Sequence, residues 1–389
     1  MFTLLLLPII SLSFVSIGLP DSLLGSAWPS MYSFLKVPLH YAGFISMIIT
    51  GGSVISSIFS EKVIRRFGTG IVTAVSVLMT ATALLAFSFS GSFLLLCLCA
   101  VLLGLGAGSV DTALNNYVAL NFKARYMSWM HCFGGVGAAA GPLIMSYFLD
   151  RHSSWNLGYR AVGIIQLCLA AILFVSLPLW KNSRSAEPQN RSPVKFTKLL
   201  QIAGAKEALL AFFSYCTIEL TTGLWGASFL VIEKGIPAKT AAQWIALYYV
   251  GITVGRFASG FVTMKLNNRQ MIRLGQITIG IGVIVLFLPL GNITLLPWLL
   301  LVGLGCAPIF PSLVHETPKN FGEEYSQAIM GLQVGSAYIG IMLMPPLFGR
   351  IASYTGFSIF PIFTGLVLIA NIVLVEVLNR KVRQAKPVS

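Results

Sequence analysis

Long runs of apolar residues alternate with short polar segments along almost the whole chain. A helix needs about 20 mostly apolar residues to cross a bilayer. The first run is expected to be a spanning helix and not a cleaved signal peptide, because no basic segment precedes it and no cleavage site leads into a polar domain. Segmenting on length and hydropathy predicts twelve spanning helices, near residues 2–27, 39–60, 70–89, 92–121, 127–149, 158–180, 207–232, 239–263, 272–290, 293–315, 325–349 and 357–378.

Composition supports this assignment and excludes a water-soluble protein. Hydrophobic residues make up 56% of the 389 residues and charged residues only 10%, against about 25% charged in an ordinary soluble chain. The net charge of +14 does not indicate a nucleic-acid-binding protein, because the basic residues lie in short clusters between apolar runs and not along one face. The sequence therefore predicts an integral membrane protein with the lipid bilayer as its surroundings.

The basic residues also predict the orientation. Of the 26 lysines and arginines, 19 lie in alternate loops together with the central polar stretch and the C-terminal tail, and six lie on the other side. Basic loops stay in the cytoplasm, so both termini are expected to be cytoplasmic, in a cell membrane that we expect to be a bacterial inner membrane. The predicted organisation is a six-helix half at 1–180, a basic linker at 181–206, a second half at 207–380 and a tail at 381–389.

The two halves resemble each other at an offset of about 200 residues. The segment LLGLGAG at 102–108 matches LVGLGCA at 301–307, and Asp21 with Gly25 matches Glu219 with Gly223. Two halves of equal topology imply a pseudo-two-fold axis along the membrane normal and a cavity between them at the midplane. The predicted fold class is all-α, with twelve transmembrane helices in two six-helix halves.

Three acids lie away from the ends of predicted spans: Asp21 toward the outer half of the first, and Asp111 and Glu219 in the middle of the fourth and seventh. An ionised carboxylate in hydrocarbon is costly, so such acids face a cavity or a partner. They are the candidate proton-coupling residues. The alternative is a structural acid that is hydrogen bonded to a neighbouring helix.

Polar and aromatic residues near these acids predict a site for a sugar. A sugar hydroxyl both donates and accepts, so it needs carboxylate and amide partners and an aromatic face against the ring. Asp111 and Asn115 share one helix face. Packing or interhelical hydrogen bonding is the alternative for each candidate. The candidate substrate-binding residues are Asn115, Asn116, Trp225, Gln333, Tyr117 and Trp28.

Arg256 is the one cation that lies away from the ends of a predicted span. It is a candidate counter-ion for an intramembrane acid or a candidate cytoplasmic gate. The alternative is that its long side chain extends to the inner interface.

Several motifs resemble the major facilitator superfamily and, within it, the fucose/galactose/glucose:proton symporter group. The resemblance implies that Asp21 and Asp111 couple proton and sugar binding. The loop after the second span differs from the superfamily pattern: Arg65 stands where aspartate is expected and Thr69 where arginine is expected, while Arg66 and Gly68 keep the basic turn. Arg65 and Arg66 are candidate gating residues. The motifs are GLPDSLLGSAWPSM at 18–31, GLGAGSVDTALNNY at 104–117, MHCFGGVGAAAGP at 130–142, VGRFASG at 254–260 and GLQVGSAYIG at 331–340.

The sequence holds no motif for nucleotide hydrolysis, ester hydrolysis or a zinc site, so we expect no enzyme activity and no cofactor or metal. The leading hypothesis is a monomeric secondary transporter that takes up a monosaccharide or similar neutral polar solute together with a proton. Sodium remains an alternative coupling ion. An antiporter that exports drugs, amphipathic compounds or sugars is the second hypothesis, and a non-transporting sensor or scaffold is the third.

Overall fold

The computed structural model describes residues 2–122, 124–152, 154–180, 196–288 and 290–385. The described chain is helical, with short turns between helices. The helices are α1 (Phe2–Asp21), α2 (Leu23–Leu35), α3 (Tyr41–Phe67), α4 (Thr69–Phe89), α5 (Phe93–Asn121), α6 (Ala124–His152), α7 (Trp155–Val175), α8 (Phe196–Gln201), α9 (Ala205–Ile232), α10 (Ala238–Val262), α11 (Asn268–Val285), α12 (Leu295–Thr355) and α13 (Phe360–Ala385).

Apart from α8, which lies in the predicted linker, these helices account for all twelve predicted spans in order. The first span consists of α1 and α2, and the tenth and eleventh are the two parts of α12, which is broken at Gly322 (φ 75°). Within the described chain, eleven segments are long and apolar enough to cross a membrane. The ninth predicted span, α11, is not among them; it has 18 residues and carries Arg269 and Arg273 near its start. The predicted all-helical membrane fold is confirmed.

The first span is interrupted beside Asp21, and the sequence explains why. Proline has no backbone N–H, so Pro20 leaves the carbonyl of Ser16, four residues earlier, without its helical donor. The amide Nε2 of Gln166 on α7 donates to that carbonyl at 2.5 Å, and the Ser16 hydroxyl donates back to Gln166 Oε1 at 2.5 Å. A polar side chain from a neighbouring helix thus satisfies the freed backbone group, as a membrane interior requires.

The internal repeat is visible in the packing of the two halves. On α5, a Cβ added at Gly104 would lie 2.2 Å from the carbonyl oxygen of Ile49 on α3. At the equivalent place on α12, a Cβ added at Gly303 would lie 2.1 Å from the carbonyl oxygen of Tyr248 on α10. The glycines allow each pair of helices to cross in backbone contact.

The two halves contact each other in two regions. We call the side with the Arg65 and Lys265 loops the basic face, and the side with the α2–α3 and α9–α10 turns the opposite face. Near the opposite face, α2 packs on α9 and Gly43 of α3 meets Pro346 of α12. The halves also pack along α6 and α10, where a Cβ added at Gly135 would lie 2.3 Å from the Thr253 hydroxyl oxygen. The basic-face part of the first span, α1, has no comparable packing against α9.

The linker and the tail are described only in part. Residues 181–195 and 386–389 lie outside the described residues. The described end of the linker contains α8, whose Leu199 is buried in a small cluster with Ala205 and Ala208 of α9. The start of the tail continues α13.

Candidate functional site

The interruption of the first span places Asp21 at the midplane. The apolar segment runs from Leu6 to Leu35, so Asp21 lies at its centre and not in the outer half as the sequence suggested, because the span extends further beyond Asp21 than the predicted end at residue 27. Its side chain is solvent-accessible, although it lies in the middle of a membrane span. Asp111 of α5 lies close enough for the two carboxylates to repel each other. The two acids therefore line one water-accessible cavity.

Asp111 carries a hydrogen-bonded amide. Asn115 is one turn further along α5, and its Nδ2 donates to Asp111 Oδ1 at 2.8 Å. The Oδ1 atom of Asn115 is buried and has no hydrogen-bond partner within the described residues. Asn116 is exposed about 100° further around the helix. Neither Asp21 nor Asp111 has a cation within 4.0 Å in the described ranges.

Glu219 and Arg256 form an ion pair in the second half. The Nη2 atom of Arg256 on α10 lies 3.5 Å from Oε1 of Glu219 on α9, and both side chains are mostly buried. The hydroxyl of Tyr248 donates to the backbone carbonyl of Glu219 at 2.9 Å. Arg256 is also close enough to His131 of α6 to interact with it electrostatically. The ion pair therefore borders the first half.

Two tyrosines that we did not select from the sequence also lie at the cavity. Tyr249 of α10 is within electrostatic range of Asp21 and Glu219, which belong to different halves. Tyr338 of α12 interacts electrostatically with Asp111 and is hydrogen bonded to a serine hydroxyl of α3. The spacing of Tyr249 and Arg256, seven residues apart on one helix face, was a usable signal, because it aligns an aromatic hydroxyl with the intramembrane cation.

Four other candidate residues lie in packed regions. The indole Nε1 of Trp28 donates to the Leu39 carbonyl at 2.6 Å, and Trp225 Nε1 donates to the Pro345 carbonyl at 2.8 Å; both rings are fully buried. Gln333 Oε1 accepts from the Thr317 hydroxyl at 2.9 Å. Tyr117 packs edge-on against Trp180 at 5.0 Å between ring centroids. These contacts join helices within a half or fix a turn.

Arg65 and Arg66 end α3 at the basic face and are exposed. The turn after them uses the positive φ of Gly68 (82°), which a glycine adopts without strain. Neither arginine makes an ion pair with a described carboxylate. In the second half, Arg269 lies 3.5 Å from the buried carboxylate of Glu316. The charge pairing at the basic face is thus concentrated in the second half.

The arrangement is suited to binding a polar solute between the two halves. It offers carboxylate acceptors, an amide, phenolic hydroxyl groups and one cation, in a cavity bordered by both halves. Among the described residues, no group of three histidine, cysteine, aspartate or glutamate side chains lies close enough to hold a metal ion.

Two of the known proteins that this chain resembles are named as transporters. The glucose/mannose transporter GlcP of Bacillus subtilis is 25% identical over 260 residues, which cover 62% of this chain and 62% of that protein. Bypass of stop codon protein 6 of Saccharomyces cerevisiae is 24% identical over 287 residues, which cover 66% of this chain and 56% of that protein. The matches thus span about three-fifths of these relatives.

The fold is shared with a solved structure of a variant of the nucleoside transporter NupG, at a TM-score of 0.79 and 14% identity over 96% of this chain and 98% of that one. The family model described as Major Facilitator Superfamily matches residues 10–241 and 208–388. The resemblance stated from the sequence is confirmed. A duplicated all-helical membrane fold, polar groups between its halves and a family match along nearly the whole length together show that the chain belongs to the Major Facilitator Superfamily.

Proposed function

We propose that this protein takes up a monosaccharide or a similar neutral polar solute together with a proton, by alternating access between its two halves. One observation carries the proposal: Asp21 and Asp111 face the same cavity within electrostatic range of each other, with no cation within 4.0 Å of either in the described chain. Two adjacent carboxylates are more stable when they share a proton. The cavity therefore has a place for a coupling proton.

The neighbouring groups suit sugar hydroxyls. Asp111 offers acceptor oxygens, Asn115 offers an amide that both donates and accepts, and the Tyr338 hydroxyl lies close to the same acid. The free Oδ1 of Asn115 would accept from a bound hydroxyl. Glucose and mannose are the first candidates, because GlcP is named as a transporter of these two sugars.

In this proposal, uptake carries the solute from the opposite face to the basic face, which the positive-inside rule assigns to the cytoplasm. The outward-open form would arise when the contacts near the opposite face separate. A proton and a sugar would then enter the same cavity from outside, and both would be released to the cytoplasm.

The test is to record the pH of a weakly buffered suspension of cells that express the protein while sugars are added. The panel begins with glucose and mannose, continues with 6-deoxyhexoses and pentoses, and is run with and without sodium. Alkalinisation by one sugar class supports proton symport. A signal that requires sodium would show that sodium, and not the proton, is the coupling ion. Proton-driven export of amphipathic compounds without any sugar response would show an antiporter instead of an uptake system.

Asp111→Asn tests the role of the acid itself. We expect the variant to lose proton-driven accumulation and to keep sugar exchange, because an amide still binds hydroxyls but does not carry the proton. Glu324→Gln, which neutralises an exposed carboxylate at the basic face, is the matched control and should behave as wild type. Full accumulation by Asp111→Asn would remove Asp111 from the coupling step.

A further inference from the structure

Two pairs of ionisable side chains join the halves at the opposite face. Lys239 Nζ at the start of α10 lies 2.6 Å from Asp150 Oδ1 near the end of α6. His40 Nε2, just before α3, lies 3.3 Å from Arg350 Nη1 near the end of α12. Each contact connects the beginning of one helix to the end of a helix in the other half. We call them the Lys239–Asp150 latch and the His40–Arg350 latch.

The two latches occupy equivalent positions in the internal repeat. The glycine crossings relate α3 to α10 at an offset of 199, with Gly52 matching Gly251, and the same offset carries His40 to Lys239. The offset from α6 to the second part of α12 is 200, which carries Asp150 to Arg350. The two latches therefore lie at pseudo-symmetric positions but are built from different residues.

The chemistry of the two latches differs. Lysine and aspartate keep opposite charges throughout the range from pH 5 to 8, so the first latch is insensitive to pH there. In the second, arginine has only donors, so His40 Nε2 must be the acceptor and the imidazole ring must be neutral. Protonation removes that acceptor and sets two cations 3.3 Å apart. The pairing then becomes repulsive.

The surroundings of His40 offer no compensation for a positive charge. The Tyr41 and Phe44 rings of α3 pack edge-on against the imidazole, and Arg350 itself lies 4.8 Å from the centre of the Tyr354 ring. No carboxylate lies within 4.0 Å of His40 or Arg350 in the part of the chain that the structure describes. The Nδ1 atom is buried without a hydrogen-bond partner.

We propose that the His40–Arg350 latch is a proton-binding site on the outer gate, and that protonation of His40 releases it so that the halves separate at the opposite face. The Lys239–Asp150 latch remains intact at every physiological pH, so acid breaks only one of the two latches at the opposite face. This site is separate from the central acids, and the proposal does not depend on the transported substrate.

The direction of the pH effect follows from the closed structure. Burial lowers the pKa of the His40 imidazole below its ordinary value of 6.5, and the Arg350 guanidinium lowers it further. Opening removes both influences, so the open form binds a proton more readily. The closed form is favoured above about pH 6.5. Its population decreases as the pH falls from there toward the lower pKa that His40 has in the closed form. Each pKa unit between the two forms shifts the closed-to-open ratio about tenfold.

The experiment measures the gate directly, without substrate. Spin labels are attached at Gly91→Cys and Ile293→Cys, exposed positions of the two halves at the opposite face, in a chain whose native cysteines are replaced. The distance distribution between the labels is recorded in lipid nanodiscs at pH 8 and pH 5.5. We expect a longer distance to gain population at pH 5.5.

Three variants separate the latch from the central acids. His40→Lys should populate the longer distance already at pH 8, and His40→Gln, which keeps a neutral acceptor, should hold the shorter distance at both pH values. His40→Lys combined with Arg350→Asp copies the Lys239–Asp150 latch and should restore the shorter distance at both. An unchanged wild-type distribution between pH 8 and 5.5, or an equal acid response in His40→Gln, would overturn the proposal.

Discussion

One close contact between the two halves joins equivalent glycines, and it yields a quantitative prediction. Gly25 of α2 and Gly223 of α9 are related by the internal repeat and meet near the opposite face. A Cβ added at Gly25 would lie 2.2 Å from the Gly223 carbonyl oxygen and 3.0 Å from the Leu224 Cα. Both neighbours are backbone atoms, so the clash cannot be relieved by a side-chain rotation. Gly25→Ala therefore requires α2 and α9 to move apart by about 1 Å, to the usual carbon–oxygen contact distance of roughly 3.3 Å.

The magnitude follows from the cost of overpacking. Forcing extra carbon atoms into a packed interface costs about 1–3 kcal/mol. Only the form that is closed at the opposite face contains this contact, so the cost falls on that form alone. A differential of 1–3 kcal/mol changes a two-state ratio by about 5- to 150-fold. We expect Gly25→Ala to favour the outward-open form by that factor.

The assay is the label distance between positions 91 and 293 at pH 8, where the wild type is closed at the opposite face. Gly51→Ala is the matched control: it lies in α3, and an added Cβ there meets no atom within 4 Å. Both substitutions add the same helix propensity. Gly223→Ala should have a smaller effect, because its Cβ would meet the movable hydroxyl of Tyr249 at 2.6 Å.

Identical distance distributions for Gly25→Ala and Gly51→Ala would refute this reasoning, since only the first substitution introduces a backbone clash. Loss of the folded protein in the first variant alone would also contradict it, because the contact joins the halves and lies in the core of neither. The yield and the melting temperature of both variants are therefore measured beside the distances.

Two further predictions concern buried polar pairs. Glu219→Gln leaves Arg256 without its carboxylate partner in the membrane, so we expect transport to fall at least tenfold. The control is Glu233→Gln, which changes an exposed carboxylate just after the end of the same helix and should leave transport unchanged. Equal activities of the two variants would exclude a role for the ion pair. Gln166→Leu removes both hydrogen bonds to Ser16 and leaves its carbonyl unpaired beside a proline, so the free energy of unfolding should fall by about 1–3 kcal/mol. An unchanged melting temperature would show that Pro20 needs no such compensation.

The number and order of the spans could be predicted because hydropathy, loop length and the internal repeat are local properties of the chain. The interruption of the first span was harder to foresee. Pro20 indicates a kink, but the donor that replaces its missing N–H comes from Gln166, about 150 residues further along. No local pattern connects the two residues.

Some residues of the candidate site could be predicted from the sequence and others could not. Asp21, Asp111, Glu219 and Arg256 were predictable, because a charge inside an apolar run needs a cavity or a partner wherever the helix packs. The aromatic and amide candidates were less predictable. Trp28, Trp225 and Gln333 proved to bind backbone or side-chain groups inside the protein, whereas Tyr249 and Tyr338, which have no charge to mark them, lie at the cavity.

The sequence alone determined that this protein is a duplicated helical membrane protein with acids at mid-membrane, since the cost of placing polar groups in lipid acts on each segment separately. Only the tertiary structure decided which helix faces meet lipid, core or cavity. Lipid chains and protein cores are equally apolar, so the sequence of a membrane helix gives little indication of whether lipid or protein covers each face. The pairing of His40 with Arg350, across 310 residues of sequence, exists only because the two halves close against each other.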